Sequence, residues 1–185
     1  MLRKLITIVA ISCVFGCKHH PPLEKPSNTP HYFSIRQFAN DQFRTYWGQP
    51  FSFEKTVIEN GKMVDSSIVS AATLDWAKVL DPFFKTDISD PKYLEQYNFS
   101  EVDDDATVSK TYIYEAKDKS FFTRSVQITT DPFTGKIKSL FIETEKDGNQ
   151  QKLYYKPLKV IQIQTYQSAL LGKGKNIRTE YRFLY

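Results

Sequence analysis

The spacing of apolar residues changes character once along this chain, near Lys110. Before that point two stretches carry apolar residues at helical intervals. Ile35, Phe38, Ala39, Phe43, Tyr46 and Trp47 share one face of a helix over Ile35 to Trp47. Ser34 is suited to its N-cap and Gln37 completes a capping box, while Gly48 and then Pro50 supply the stop. Leu74, Trp76, Ala77, Leu80, Phe83 and Phe84 form the stripe of a second helix from Ala71 to Leu80, which Pro82 is expected to kink or end near Asp81. Between the two helices, Phe51 to Ile58 and Met63 to Val69 read as strands joined by Asn60-Gly61, the strongest short hairpin signal. Asp90-Pro91 then opens a short third helix to about Tyr97, with Asp90 as cap and proline in the first turn.

From Lys110 onward the period is two and no helical spacing recurs. The candidate strands are Lys110 to Ala116, Phe122 to Thr130, Lys136 to Glu145, Gln150 to Lys156, Leu158 to Gln167 and Ile177 to Leu184. Turn residues separate several of them: Asp131-Pro132-Phe133-Thr134-Gly135, Asp147-Gly148-Asn149 and Gly172-Lys173-Gly174. Links this short imply antiparallel neighbours in a meander. Val126 and Ile128 oppose Gln127 and Thr129, and Ile161 and Ile163 oppose Gln162 and Gln164, so these strands have one wet face. Leu140, Phe141 and Ile142 put apolar groups on both faces, which predicts a central strand with its second side covered. The expected fold class is α+β: a curved antiparallel meander of six to eight strands with N-terminal helices packed on one face.

The first residues have a different logic. Arg3 and Lys4 precede an uncharged run from Leu5 to Phe15, the length of a signal-peptide core and too short for a spanning helix, which takes about 20 residues. The run ends in Val14-Phe15-Gly16-Cys17. This resembles the lipobox of bacterial lipoproteins, with Phe15 a departure at the position before the small residue. The resemblance covers about the first 17 residues. It implies cleavage before Cys17 and a diacylglycerol on the Cys17 thiol. Cys13, after Ala10-Ile11-Ser12, is the competing site, but it would leave a shorter apolar core. Lys18, where an Asp would retain the protein in the inner membrane, implies the outer membrane by the same resemblance. Residues 18–30 hold four prolines, which forbid a helix. At ~3.1 Å per residue the segment is an extended tether reaching on the order of 40 Å. The expected organisation is a signal peptide over 1–16, the lipidated Cys17 and tether over 17–30, and one α+β domain over 31–185.

Composition narrows the chemistry. Removal of Arg3 and Lys4 with the signal leaves 23 basic against 21 acidic residues, and no basic stripe points to nucleic acid. A mature chain that keeps only Cys17 has no internal disulfide and no cysteine zinc site. The histidines are His19, His20 and His31, all in or beside the tether, so a Ser-His-Asp or Cys-His device inside the domain is excluded. Adjacent His19 and His20 on a flexible chain lack the supporting shell of a metal site. Asp103-Asp104-Asp105 with Glu101 is the densest acidic cluster; without EF-hand spacing it reads as a solvated loop before a strand. Glu115, Glu143, Glu145 and Glu180 sit on candidate strands, where a pair could in principle hydrolyse a glycoside. Gly172-Lys173-Gly174-Lys175-Asn176 lacks P-loop spacing and reads as a hairpin loop. Aromatic residues make up 15% of the chain, which suits a β-rich core or, more sharply, an apolar or sugar-binding cleft.

No cofactor and no catalytic residue is expected. The functional reading is a membrane-anchored envelope lipoprotein whose domain is a non-enzymatic binding or structural module. Its partners would be membrane lipid, through acylated Cys17, and an envelope protein or apolar ligand. A carrier of a lipid-like ligand in a curved-sheet cleft and a carboxylate-dependent hydrolase are the two alternatives. The whole chain also resembles small lipoproteins of Bacteroidota, in its signal, its Tyr/Phe/Lys-rich composition and the sheet pattern from Asp131 to Gln167; that resemblance carries no activity with it.

Overall fold

A computed structural model describes residues 32–169 and 174–184. Cys17, the three histidines, the tether and most of the Gly172-Lys173-Gly174 turn lie outside the described residues. Two helices, α1 (Ile35–Tyr46) and α2 (Trp76–Phe84), accompany nine strands: β1 (Ser52–Glu59), β2 (Lys62–Ser70), β3 (Tyr97–Asp104), β4 (Ser109–Ala116), β5 (Thr123–Thr130), β6 (Ile137–Lys146), β7 (Asn149–Lys156), β8 (Val160–Gln167) and β9 (Lys175–Leu184). The strands form one open, curled antiparallel sheet in the order β2-β1-β9-β8-β7-β6-β5-β4-β3. The α+β class and the meander are as expected, with one strand more than the upper expectation.

Local chemistry accounts for most elements. The Ser34 hydroxyl accepts from the Gln37 amide at 3.1 Å, and α1 stops where Gly48 turns to φ +76°. Asp87, fifty-two positions beyond Ile35, accepts from the Ile35 amide and from the Ser34 hydroxyl, both at 3.2 Å. A carboxylate at a helix N-terminus is favoured by the free amides there. Asn60 and Gly61 both take positive φ, as the two-residue hairpin between β1 and β2 requires.

Three expectations are corrected. The second helix starts at Trp76, not Ala71, because Asp75 is its cap: the Asp75 carboxylate accepts from the Lys78 amide at 3.1 Å. It also runs through Pro82 to Phe84. Proline forfeits one amide bond, but Val79, Leu80 and Phe83 are all buried, and that packing outweighs the loss. The third helix shrinks to a single 3-10 turn, Pro91–Tyr93, and Tyr97 begins β3 instead. The acidic cluster therefore lies on an edge strand and its following turn, not in a loop alone.

Register sorts the sheet into two faces. Phe53, Phe183, Tyr181, Ile161, Tyr155, Leu153, Leu140, Ile142, Ile128, Val126, Tyr112 and Tyr114 occupy cross-strand pairs on the helix side. Phe38 meets Tyr155 at 5.3 Å between ring centroids, and Trp76 meets Phe53 at 5.5 Å, both edge to face. Most of the aromatic residues are spent on this core. The opposite face carries a continuous row across seven strands: Ile113, Gln127, Phe141, Tyr154, Gln162, Glu180 and Thr56. Phe141 does lie on a central strand. Its second side is flanked within that row by Gln127 and Tyr154 and is half-buried, with no helix laid over it among the described residues.

Candidate anion cleft at Arg124

The residue that sequence reading passed over is Arg124. It is the extra residue of a β-bulge at the start of β5, where Thr123 pairs with Thr144 and Ser125 with Glu143. Bulges re-aim one side chain out of the regular alternation. Two buried bonds fix this one. The Thr123 carbonyl accepts from the Tyr97 hydroxyl at 2.9 Å, and the Thr123 hydroxyl donates to the Thr86 carbonyl at 3.2 Å. Burial pushes the Tyr97 phenol far above its ordinary value, so it stays a donor.

Arg124 is mostly covered, its side chain 23% exposed. Nη2 lies 3.6 Å from a Glu145 carboxylate oxygen, a loose pairing. Nε and Nη1 are buried and meet no acceptor among the described residues. A covered guanidinium with two idle donors has lost its water without recovering the bonds. Two clefts share this side chain as a wall. The larger, about 710 Å³, is lined also by Lys85, Lys119, Ser120, Phe122, Lys146 and Asp147. The smaller, about 290 Å³, is lined by Glu143, Thr144, Gln150, Gln151 and Lys152 with Glu145 common to both. Four cations thus face two carboxylates in the larger cleft.

The loop that brings Lys119 and Ser120 to the rim is shaped by Asp118. Its carboxylate accepts from the Ser120 amide at 2.7 Å, and that bond holds its pKa below the usual carboxylate range. The Phe122 carbonyl accepts from the Glu145 amide at 2.9 Å, which clips the end of β6 to the cleft.

Of the carboxylates expected from sequence, Glu143 and Glu145 line these clefts, while Glu115 and Glu180 line neither. Glu143 is 2.7 Å from Lys152, Glu180 is 2.8 Å from Arg182, and Glu115 lies two strands from Glu143 in one row with Ser125 between. Glu143, Glu145 and Glu180 each stand against a cation. In the acidic cluster, Glu101 and Asp103 flank Lys110 at 3.1 and 3.6 Å. Asp104 accepts from the Thr107 hydroxyl at 2.6 Å and from the Ala106 amide at 3.0 Å, building a turn, and these bonds lower its pKa. Among the described residues, no three His, Cys, Asp or Glu side chains converge on one point. An apolar cleft between α1 and α2, around Phe43, Trp76 and Leu80, measures about 210 Å³. A ligand pocket is usually about 300 Å³ or more.

No signal in the sequence marks Arg124 as special: it is one of 25 basic residues, and the bulge that aims it leaves no motif. Comparison of the chain with protein-family models, with curated proteins and with solved structures finds no match.

Proposed function

We propose that this chain is a non-enzymatic binding module of the bacterial envelope, lipid-anchored through Cys17 at the outer membrane, and that it holds an anionic group in the cleft walled by Arg124. The observation that supports the binding role is the guanidinium itself, largely covered, loosely paired and with two donors idle. An incoming phosphate or carboxylate recovers the solvation that Arg124 has lost, and charge-assisted bonds to it are about twice as strong as neutral ones. Lys119 and Lys146 add attraction at the rim, and Phe122 offers an apolar wall for whatever carries the anion. The address rests on Val14-Phe15-Gly16-Cys17 and Lys18.

Each half has its own test. Inorganic phosphate and acetate are titrated into the full chain in neutral detergent, with the backbone amide signal of Ser120 at the cleft rim followed by NMR. The expected result is a saturable shift of that signal, absent in Arg124→Gln. No shift at millimolar anion, or an unchanged isotherm in the variant, sinks the cleft. Labelled palmitate should appear on the wild-type protein in growing cells and not on Cys17→Ala; equal labelling, or none, removes the anchor.

A further inference from the structure

Arg178 shares the condition of Arg124. Its Nε is buried and meets no acceptor among the described residues. It sits on β9, four strands from the bulge that carries Arg124, and does not rest on that cleft. The carboxylates that flank it along the strands are engaged elsewhere: Glu59 lies 3.2 Å from Lys175, and Glu180 lies 2.8 Å from Arg182. A guanidinium in this state gains by taking an acceptor from outside the chain.

Arg178 walls a pocket of about 180 Å³ with Ile58, Gly61, Gln164 and Asn176. Hydrogen bonds hold those walls in place. The Asn60 amide donates to the Asn176 carbonyl at 2.8 Å, and the Asn176 amide donates to the Asn60 side-chain oxygen at 3.0 Å. This two-way clip ties the start of β9 to the turn between β1 and β2. The Gln164 side-chain amide donates to the Asn176 side-chain oxygen at 3.0 Å. That bond uses the oxygen of the Asn176 side chain and leaves its amide hydrogens as further donors at the pocket.

We infer that this pocket binds the carboxylate of an aliphatic acid, with Arg178 on the charged end and Ile58 against the first carbons of the chain. The lining carries one cation and no carboxylate, which matches a single negative charge. A phosphate group brings about 1.5 to 2 at neutral pH. The edge formed by Nε and one Nη of a guanidinium meets the two oxygens of a planar carboxylate side by side. The pocket is smaller than the roughly 300 Å³ of a usual ligand site, so it takes an end group and not a whole ligand. Register shows where the rest of the ligand goes. Gln164, Arg178, Ile58 and Met63 stand in one cross-strand row on the face turned from the helices. Polarity falls along that row, from amide and guanidinium to Ile58 and then Met63, which is 64% exposed. A chain that leaves the pocket past Ile58 therefore continues over apolar surface and removes it from water.

Acetate, hexanoate, inorganic phosphate and hexanol are titrated separately into the full chain in neutral detergent, with the backbone amide signal of Asn176 followed by NMR. Hexanoate should give a saturable shift and bind about tenfold more tightly than acetate, because its added methylenes leave water. It should also bind more tightly than phosphate, and hexanol should give no shift. Arg178→Gln should remove the response, and Arg124→Gln should keep it. Gln164→Glu supplies an internal carboxylate beside the guanidinium and should block hexanoate, with the circular dichroism spectrum of the wild type. No saturable shift at millimolar hexanoate, phosphate binding as tight as hexanoate, an equal response to hexanol, or an unchanged isotherm in Arg178→Gln or Gln164→Glu would each overturn the assignment.

Discussion

Tyr97 and Thr123 are joined by a hydrogen bond of 2.9 Å from the phenol to the main-chain carbonyl. That bond ties the edge strand β3 to the bulge that carries Arg124, across the intervening β4. Thr123 is buried, so its carbonyl has no water to fall back on.

Removal of the donor is therefore costly. Tyr97→Phe keeps the ring and its edge-to-face contacts with Tyr32 and Tyr93 but strands the Thr123 carbonyl. An unsatisfied buried acceptor costs about 1–3 kcal/mol. Urea denaturation should show that loss, and hydrogen exchange should quicken at the amides around Thr123 more than in β7 or β8. A variant of wild-type stability would mean that the bond does not hold the bulge.

Alkaline pH provides a second handle on the same residues. Burial raises the phenol pKa of Tyr97, Tyr114 and Tyr181. The unfolded chain gives up these protons near the ordinary value of about 10. The folded chain keeps them to higher pH, so above that point the folded state binds more protons. Stability is then fully present below pH ~10 and falls as pH rises through the folded-state values. The urea midpoint should drop between about pH 9 and about pH 11, and the drop should be shallower in Tyr97→Phe. A midpoint flat across that window would contradict the burial of these phenols.

How much of this was legible in the sequence follows from where each signal lives. Ser34, the Asn60-Gly61 pair and the Asp131 turn are local: in each a side chain or a glycine satisfies backbone groups within three or four residues. The Asp131 carboxylate, for example, accepts from the Thr134 amide at 2.8 Å. The alternation in β5 to β8 was legible because one face is core. β3 was not, since an edge strand with only Tyr97 buried has no reason to alternate, and its carboxylates look like a loop. Asp87 at the head of α1 and the pairing of β1 with β9 were closed to sequence because their partners lie 52 and more than 100 positions away. Pro82 misled because a rule about one amide was weighed without the buried face around it. Arg124 was invisible for a related reason. Its role comes from a bulge fixed by Tyr97 and Thr86, neither of which announces a site.

Glu145 gives the most direct handle on the proposed site. Its carboxylate is the one ion-pair partner of Arg124 among the described residues, at 3.6 Å, and it competes with any incoming anion for the same guanidinium. The pair is loose and Glu145 is 41% exposed, so its attraction is screened and is of the order of an exposed ion pair, about 0.5–1 kcal/mol. Glu145→Gln removes the charge while keeping the shape. Anion affinity should therefore rise about two- to fivefold. Folding stability should fall no further than loss of an exposed pair allows. Phosphate titration of the two proteins side by side, with a urea melt of each, measures both quantities. An affinity that falls in Glu145→Gln would place the anion on a different group, because neutralising a competitor cannot weaken the contact it competes for.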